Sequence, residues 1–207
     1  MNLKLLLGAC TAGFFLLSSA HADESSWLSI DVQPFDIAGV KLGMGYEQAR
    51  EAMAKNFKVS VKEIKPSAGI TETAKNDITQ TLLPNRLNYY GKNGEKLTVT
   101  FSTRLPVNKE NPLVVDSIKY MVGGSNESGI MLKEAARKKY GTPSFTAYGM
   151  DNWCAHPNKP VMVCKSGEAS LLSSPGMLTL TDPTYDAAAN EYREKLRTTT
   201  PRIYQLI

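Results

Sequence analysis

The sequence predicts an α+β protein with antiparallel sheets and packed helices. Three observations carry that expectation. Segments near 46–57, 127–140 and 184–197 place apolar residues at helical spacing. Between them lie short runs in which apolar and polar residues alternate, the pattern of half-buried strands. Short turns, not helical crossovers, join those runs, so neighbouring strands should be antiparallel. The layout reads as a leader over 1–22, a first α+β unit over 23–123 and a second over 124–207.

The leader has the three parts of a secretory signal peptide. Lys4 supplies a positive charge, Leu5 to Leu17 is apolar apart from small residues and Thr11, and Ala20-His21-Ala22 fits the cleavage pattern. Cleavage near Ala22 would release a periplasmic or secreted protein beginning near Asp23. The apolar run is too short for a stable anchor, and no later segment approaches roughly 18 continuous apolar residues, so no integral membrane span is expected. Leu7-Gly8-Ala9-Cys10 offers a competing lipobox reading, with Cys10 lipidated. Against it, little apolar sequence precedes Cys10 and more follows.

Loss of the leader would leave 185 of the 207 residues, with 23 basic and 20 acidic side chains and a net charge of +3. That is chain enough for a real core. The mild charge neither demands nor excludes an acidic partner, and no block of like charge suggests nucleic-acid binding. Two cysteines would remain, Cys154 and Cys164. An even pair in an oxidising compartment is most simply a disulfide. A hairpin centred on Lys159, within the turn-rich His156-Pro157-Asn158-Lys159-Pro160, would set the two directly opposite each other. Closing so short a loop stabilises by about 2–3 kcal/mol in the chain-entropy model.

The elements follow in order. Tyr46, Ala49, Met53 and Phe57 form one face of a first helix, and Val59 and Val61 alternate with lysines and serine as a strand. Residues 65–88 are polar and poorly periodic, a strand or two with a long loop. Asn93-Gly94 marks a hairpin between Leu87–Tyr90 and the alternating Leu97, Val99, Phe101. After a loop over 106–112, Ile118, Tyr120 and Val122 share one face of a further strand. The second helix buries Leu132, Ala136 and Tyr140 and is stopped by Gly141 and Pro143. Strands are expected near 145–148, 160–165, 168–172 and 177–181. Asp182-Pro183 then opens a last helix with a stripe of Tyr185, Ala188 or Ala189, Tyr192 and Leu196. The helix over 50–57 matches that over 133–140 in chemistry at an offset of 83 residues, so a diverged repeat and chance similarity of two amphipathic helices both remain open.

Gly43-Met44-x-x-x-Gln48-Ala49 resembles the helix-opening motif of the BamE/SmpA-like envelope modules, and Tyr140-Gly141-Thr142-Pro143 resembles their helix-closing Gly-x-Pro. The layout is also similar to the bacterial β-lactamase-inhibitor proteins, built from two helix-plus-sheet repeats. Gly45 departs from the pattern, standing where a Thr or Ser cap is expected. The resemblance implies an exported, non-enzymatic binding module and supplies no transferable binding residues.

Catalytic motifs are sparse. The mature chain would keep one histidine, His156, and contains no Gly-x-Ser-x-Gly, His-Glu-x-x-His or Ser-x-x-Lys. Cys154, His156 and Cys164 lack familiar zinc spacing and a fourth ligand, so neither metal nor cofactor is expected. Asp151 beside His156 offers an acid/base pair, the basis of an alternative reading as a hydrolase. The bland reading of the same residues is a solvated hairpin end with Trp153 packed over the disulfide. Tyr89 and Tyr90 alternate faces in a strand, so one should be buried and the other exposed as a binding anchor. The leading expectation is a module that binds another envelope or secreted protein through a sheet face or loops. The contributors would be Tyr89, Tyr90, Asp151 and Trp153, and the role that of an assembly component, inhibitor or immunity protein. A small-ligand or lipid carrier is the third reading, and it predicts an apolar cavity between sheet and helices.

Overall fold

The computed structural model describes residues 27–66, 78–79, 84–124 and 126–199. The expected leader, with Cys10, His21 and the cleavage site, lies outside the described residues. The fold is α+β, with three α-helices, an eight-stranded antiparallel sheet and two small two-stranded sheets among the described residues.

The chain opens with a short hairpin of β1 (Asp36–Ile37) and β2 (Val40–Lys41). Ala38 and Gly39 make its turn at positive φ, as two-residue hairpins require. Helix α1 (Tyr46–Phe57) has the bounds its periodicity predicts and buries Ala49, Met53 and Ala54. Lys58 ends it in a left-handed conformation. The expected Val59–Val61 strand is instead a 3₁₀ turn over Val61–Glu63. Ser60 Oγ accepts from the Lys62 N–H at 3.3 Å, and the Ser60 N–H donates to the Glu63 carboxylate at 3.0 Å. That capping box, Ser60-x-x-Glu63, overrides the valine alternation.

Strands β3 (Lys65–Pro66), β4 (Arg86–Tyr90), β5 (Lys96–Thr103) and β6 (Leu113–Met121) form an antiparallel meander. Helix α2 (Asn126–Tyr140) follows, then a second meander of β7 (Phe145–Ala147), β8 (Met150–Cys154), β11 (Ser170–Ser174) and β12 (Met177–Thr181). The small hairpin of β9 (Pro157–Asn158) and β10 (Val163–Cys164) is inserted between β8 and β11. The order across the sheet is β3-β4-β5-β6-β12-β11-β8-β7, so β6 and β12, the last strand of each meander, meet at its centre. To the eight-stranded sheet and the layer over it, each half of the chain thus contributes one helix followed by four strands among the described residues. Strand β8 was not anticipated: its Asp-Asn-Trp-Cys run alternates too little to read as a strand.

Pairing sets the faces, since side chains alternate along every strand. Leu87, Leu97, Val99, Ile118, Leu180, Leu171 and Trp153 share one face, and α1 and α2 cover it to make the main core. The opposite face receives α3 (Thr184–Thr199), which packs over β5 and β6. Asp182 caps α3, accepting the Thr184 N–H at 3.0 Å. The stripe expected on α3 is buried only at its start. Ala189 is covered, but Tyr192 and Leu196 stay exposed because the helix runs beyond its packing surface.

Candidate functional site

The open face of the sheet is built by register. Across neighbouring strands, Tyr90 pairs with Lys96, Lys96 with Met121, and Met121 with Met177. Met177 pairs with Ser174, which is buried, and the same register extended by one residue reaches Met150. The row crosses six strands, a span of about 24 Å at the usual interstrand spacing. A parallel row lies one step inward: Asn88, Thr98, Lys119, Thr179, Leu172 and Asn152. Tyr90 is 65% exposed and Met121 40%, while Met177, Leu172 and Met150 are half-buried. Lys96 places its ammonium 5.1 Å from the centre of the Tyr90 ring, and neither Lys96 nor Lys119 forms an ion pair among the described residues.

Two structures flank this floor. On one side α3 sits over β5 and β6. A bulge opposite Thr100 and Phe101 leaves Asp116 as the extra residue, turned toward α3. The Ser102 hydroxyl donates to Asp116 Oδ2 at 2.5 Å, while the buried Oδ1 makes no hydrogen bond among the described residues. Burial, together with the nearby Asp186 of α3, pushes the Asp116 carboxyl above its ordinary pKa; the Ser102 bond and the Arg86 charge only partly offset this.

On the other side stands the β9–β10 hairpin, tied to β8 by the Cys154–Cys164 disulfide with Cα atoms 5.9 Å apart. The pairing differs from expectation. Cys164 lies opposite Pro157, and Cys154 lies opposite Ser170 of β11. The chain leaves β8 at Ala155, so the hairpin centres between Pro160 and Val161 rather than on Lys159. Of the strand expected over 160–165, only Val163–Cys164 forms, because Lys159–Val161 is a 3₁₀ turn. Its tip exposes Val161, Met162 and Val163.

The anticipated residues fall in three places. Tyr90 lies on the open face. Tyr89 turns inward and stacks on Phe57 of α1 with ring centres 3.9 Å apart, so the expected split of the pair is seen. Asp151 and Trp153 are fully buried beneath α2, which removes both from any contact surface. Trp153 donates to the Gly141 carbonyl at 3.2 Å and meets Tyr140 edge-on. It does not cover the disulfide; Phe145 and Trp27, stacked at 4.6 Å, pack with the two cysteines instead. Trp153 and Cys154 are consecutive strand residues and so point to opposite faces.

Asp151 is anchored from three sides. Arg137 donates from Nε at 2.6 Å and from Nη2 at 2.9 Å, Thr146 donates at 2.7 Å, and Lys133 lies 3.5 Å away. Burial alone would raise its pKa, but these donors and charges hold it below the usual carboxylate value. His156 is exposed and pairs through Nδ1 with Glu168 at 2.7 Å. Lys165, at 2.8 Å, and His156 hold the Glu168 carboxyl below its ordinary pKa. Asp151 and His156 therefore have separate partners, and the geometry assembles no acid/base pair from them. No cluster of metal-ligating side chains occurs among the described residues, and no described helix is long and apolar enough to cross a membrane.

Fold and site together describe an α+β module with one sheet face covered by α1 and α2 and the other covered only in part, by α3. No protein-family model matches the chain, and neither a curated protein nor a solved structure matches it.

The sequence reading missed Met121, Met150, Met177, Lys119 and Leu172. Each lies on a strand or at its end, but only the register across six strands brings them into rows. A partial signal was available: Met121 and Met177 both sit at strand termini beside glycine-containing turns.

Proposed function

We propose that this chain is an exported, non-enzymatic module that binds another envelope or secreted protein on the open face of its sheet. The observation that carries the reading is the Tyr90–Lys96–Met121–Met177–Met150 row, in which Tyr90 and Met121 stay exposed on the sheet. Tyrosine and methionine are enriched at protein interfaces, where methionine adapts its shape to a partner. Tyr90 offers a rigid aromatic anchor, and Lys96 and Lys119 offer charges free to pair.

Three further points support it. The helix-then-meander layout, given twice, suits the tandem units of the BamE/SmpA-like and β-lactamase-inhibitor-like resemblance. A disulfide is compatible with an extracellular or periplasmic location. Asp151 and His156 are each engaged in structural contacts, with Arg137 and Thr146 and with Glu168. An inhibitor or immunity protein and an assembly component would both use such a face.

Affinity capture from the native envelope tests the reading. The Met121→Arg and Leu172→Arg variants should retain nothing that the unaltered protein retains, while Glu134→Arg, on the exposed side of α2, should behave normally. Equal capture by all three would overturn it.

A further inference from the structure

The other face of the sheet carries a separate feature. The helix layer closes tightly over most of the sheet, but α1 and α2 leave a groove of about 220 Å³ between them. Such gaps are uncommon in a layer packed to interior density. Phe57 walls it from α1 and Tyr140 from α2, Ala136 and Leu178 line its depth, and Tyr120 contributes a third ring. The volume sets the occupant's size: an apolar cavity of about 150 Å³ accepts benzene. This groove therefore takes one or two fused rings and is too small for a helix or strand.

Its polar groups define the rest of the ligand. The Tyr120 hydroxyl makes no hydrogen bond among the described residues, and burial, with the nearby Glu95 charge, raises its pKa, which keeps it a donor. Lys139 stands at the rim with its ammonium 2.8 Å from both the Asp36 carbonyl and Asp36 Oδ2. Lys41 faces the same Asp36 across β1–β2. Lys139 is the one charged side chain lining the groove among the described residues, and Asp36 takes two of its three ammonium donors. We propose that this groove binds a small planar aromatic carboxylate, with its ring among Phe57, Tyr120 and Tyr140 and its carboxylate at Lys139. The site lies on the opposite face from the proposed protein-binding surface and does not depend on it.

The test is a titration of the folded protein with naphthalene-2-carboxylate and, separately, with its neutral carboxamide, followed by NMR at the Ala135 and Ala136 methyl groups. The expected result is saturable shifts for the carboxylate. Lys139→Gln should weaken the carboxylate about threefold and leave the carboxamide unchanged, as loss of an exposed ion pair would. Ala136→Leu should fill the groove and weaken both by at least about tenfold. Lys139 is exposed, so its variant keeps the test valid even if Ala136→Leu fails to fold. Absence of saturable shifts, or equal binding of both compounds to the unaltered protein, would overturn the proposal. So would indifference of a folded Ala136→Leu variant. Met121→Arg should not alter the titration, so failure here and failure of the protein-binding reading are separable.

Discussion

Leu171 and Leu172 are chain neighbours, yet they belong to two different surfaces of one sheet. Leu171 is fully buried under the helix layer, whereas Leu172 lies half-buried on the open side. The same division applies to the buried carboxylates. Asp151, under α2, is surrounded by donors; Asp116, buried on the α3 side, has one oxygen without a hydrogen bond among the described residues. The face under α1 and α2 is therefore sealed from water, while the other face leaves Tyr90 and Met121 exposed at its uncovered end. An exposed, partly apolar surface of this kind is what a partner can cover.

The largest test of this contrast is Leu171→Ala against Leu172→Ala. Removing Leu171 should cost about 3 kcal/mol in denaturant unfolding, the cost of a core cavity. Removing Leu172 should cost less, about 1–2 kcal/mol, because part of its side chain already faces water and no sealed cavity is left. Equal losses would mean that the open face is covered in solution.

Arg137→Ala should cost about 2–3 kcal/mol, since it leaves Asp151 buried with only Lys133 and Thr146 to compensate. The pH dependence provides a signed check. The native pKa of Asp151 is depressed, so its contribution is present above the unfolded value and is lost as pH falls through the native one. The Arg137→Ala variant should therefore show a smaller acid-induced loss between pH 5 and the acid limit.

Asp116 has the opposite sign. Its native pKa is raised, so its contribution is full below the ordinary carboxylate value and is lost as pH rises through the elevated one. Asp116→Asn keeps an acceptor for Ser102 and removes the charge. The variant should be at least as stable as the unaltered protein at pH 7 and lose that advantage at pH 4, as read by thermal unfolding. A loss of stability at pH 7 would contradict the account of this site. The smallest effect expected is for His156→Ala, within about 0.5 kcal/mol, because its pair with Glu168 is exposed.

Much of this contrast was legible in the sequence, for local reasons. Helical periodicity placed α1 and α2, the Asn93-Gly94 turn placed the β4–β5 hairpin, and Asp182-Pro183 placed the start of α3. The α+β class followed from those elements, and the cysteine count pointed to the disulfide. The errors arose where two local signals competed or where the answer lay between distant strands. At Val59–Val61 a capping box defeated an alternating pattern. At Asp151 an acidic residue beside a histidine looked like chemistry, but its partners Lys133 and Arg137 lie 18 and 14 residues back, on α2. The methionine row and the inter-helix groove depend on register and helix packing, which no single segment encodes.

The central claim is that the open face, not the helix side, meets a partner. A photo-crosslinking amino acid at position 121, on the open face, and another at position 131, exposed on α2, would test it most directly in the native envelope. The account predicts discrete protein adducts from position 121 that are lost with Tyr90→Ala, and none from position 131. Adducts from position 131 alone, or from both positions and unaffected by Tyr90→Ala, would contradict it.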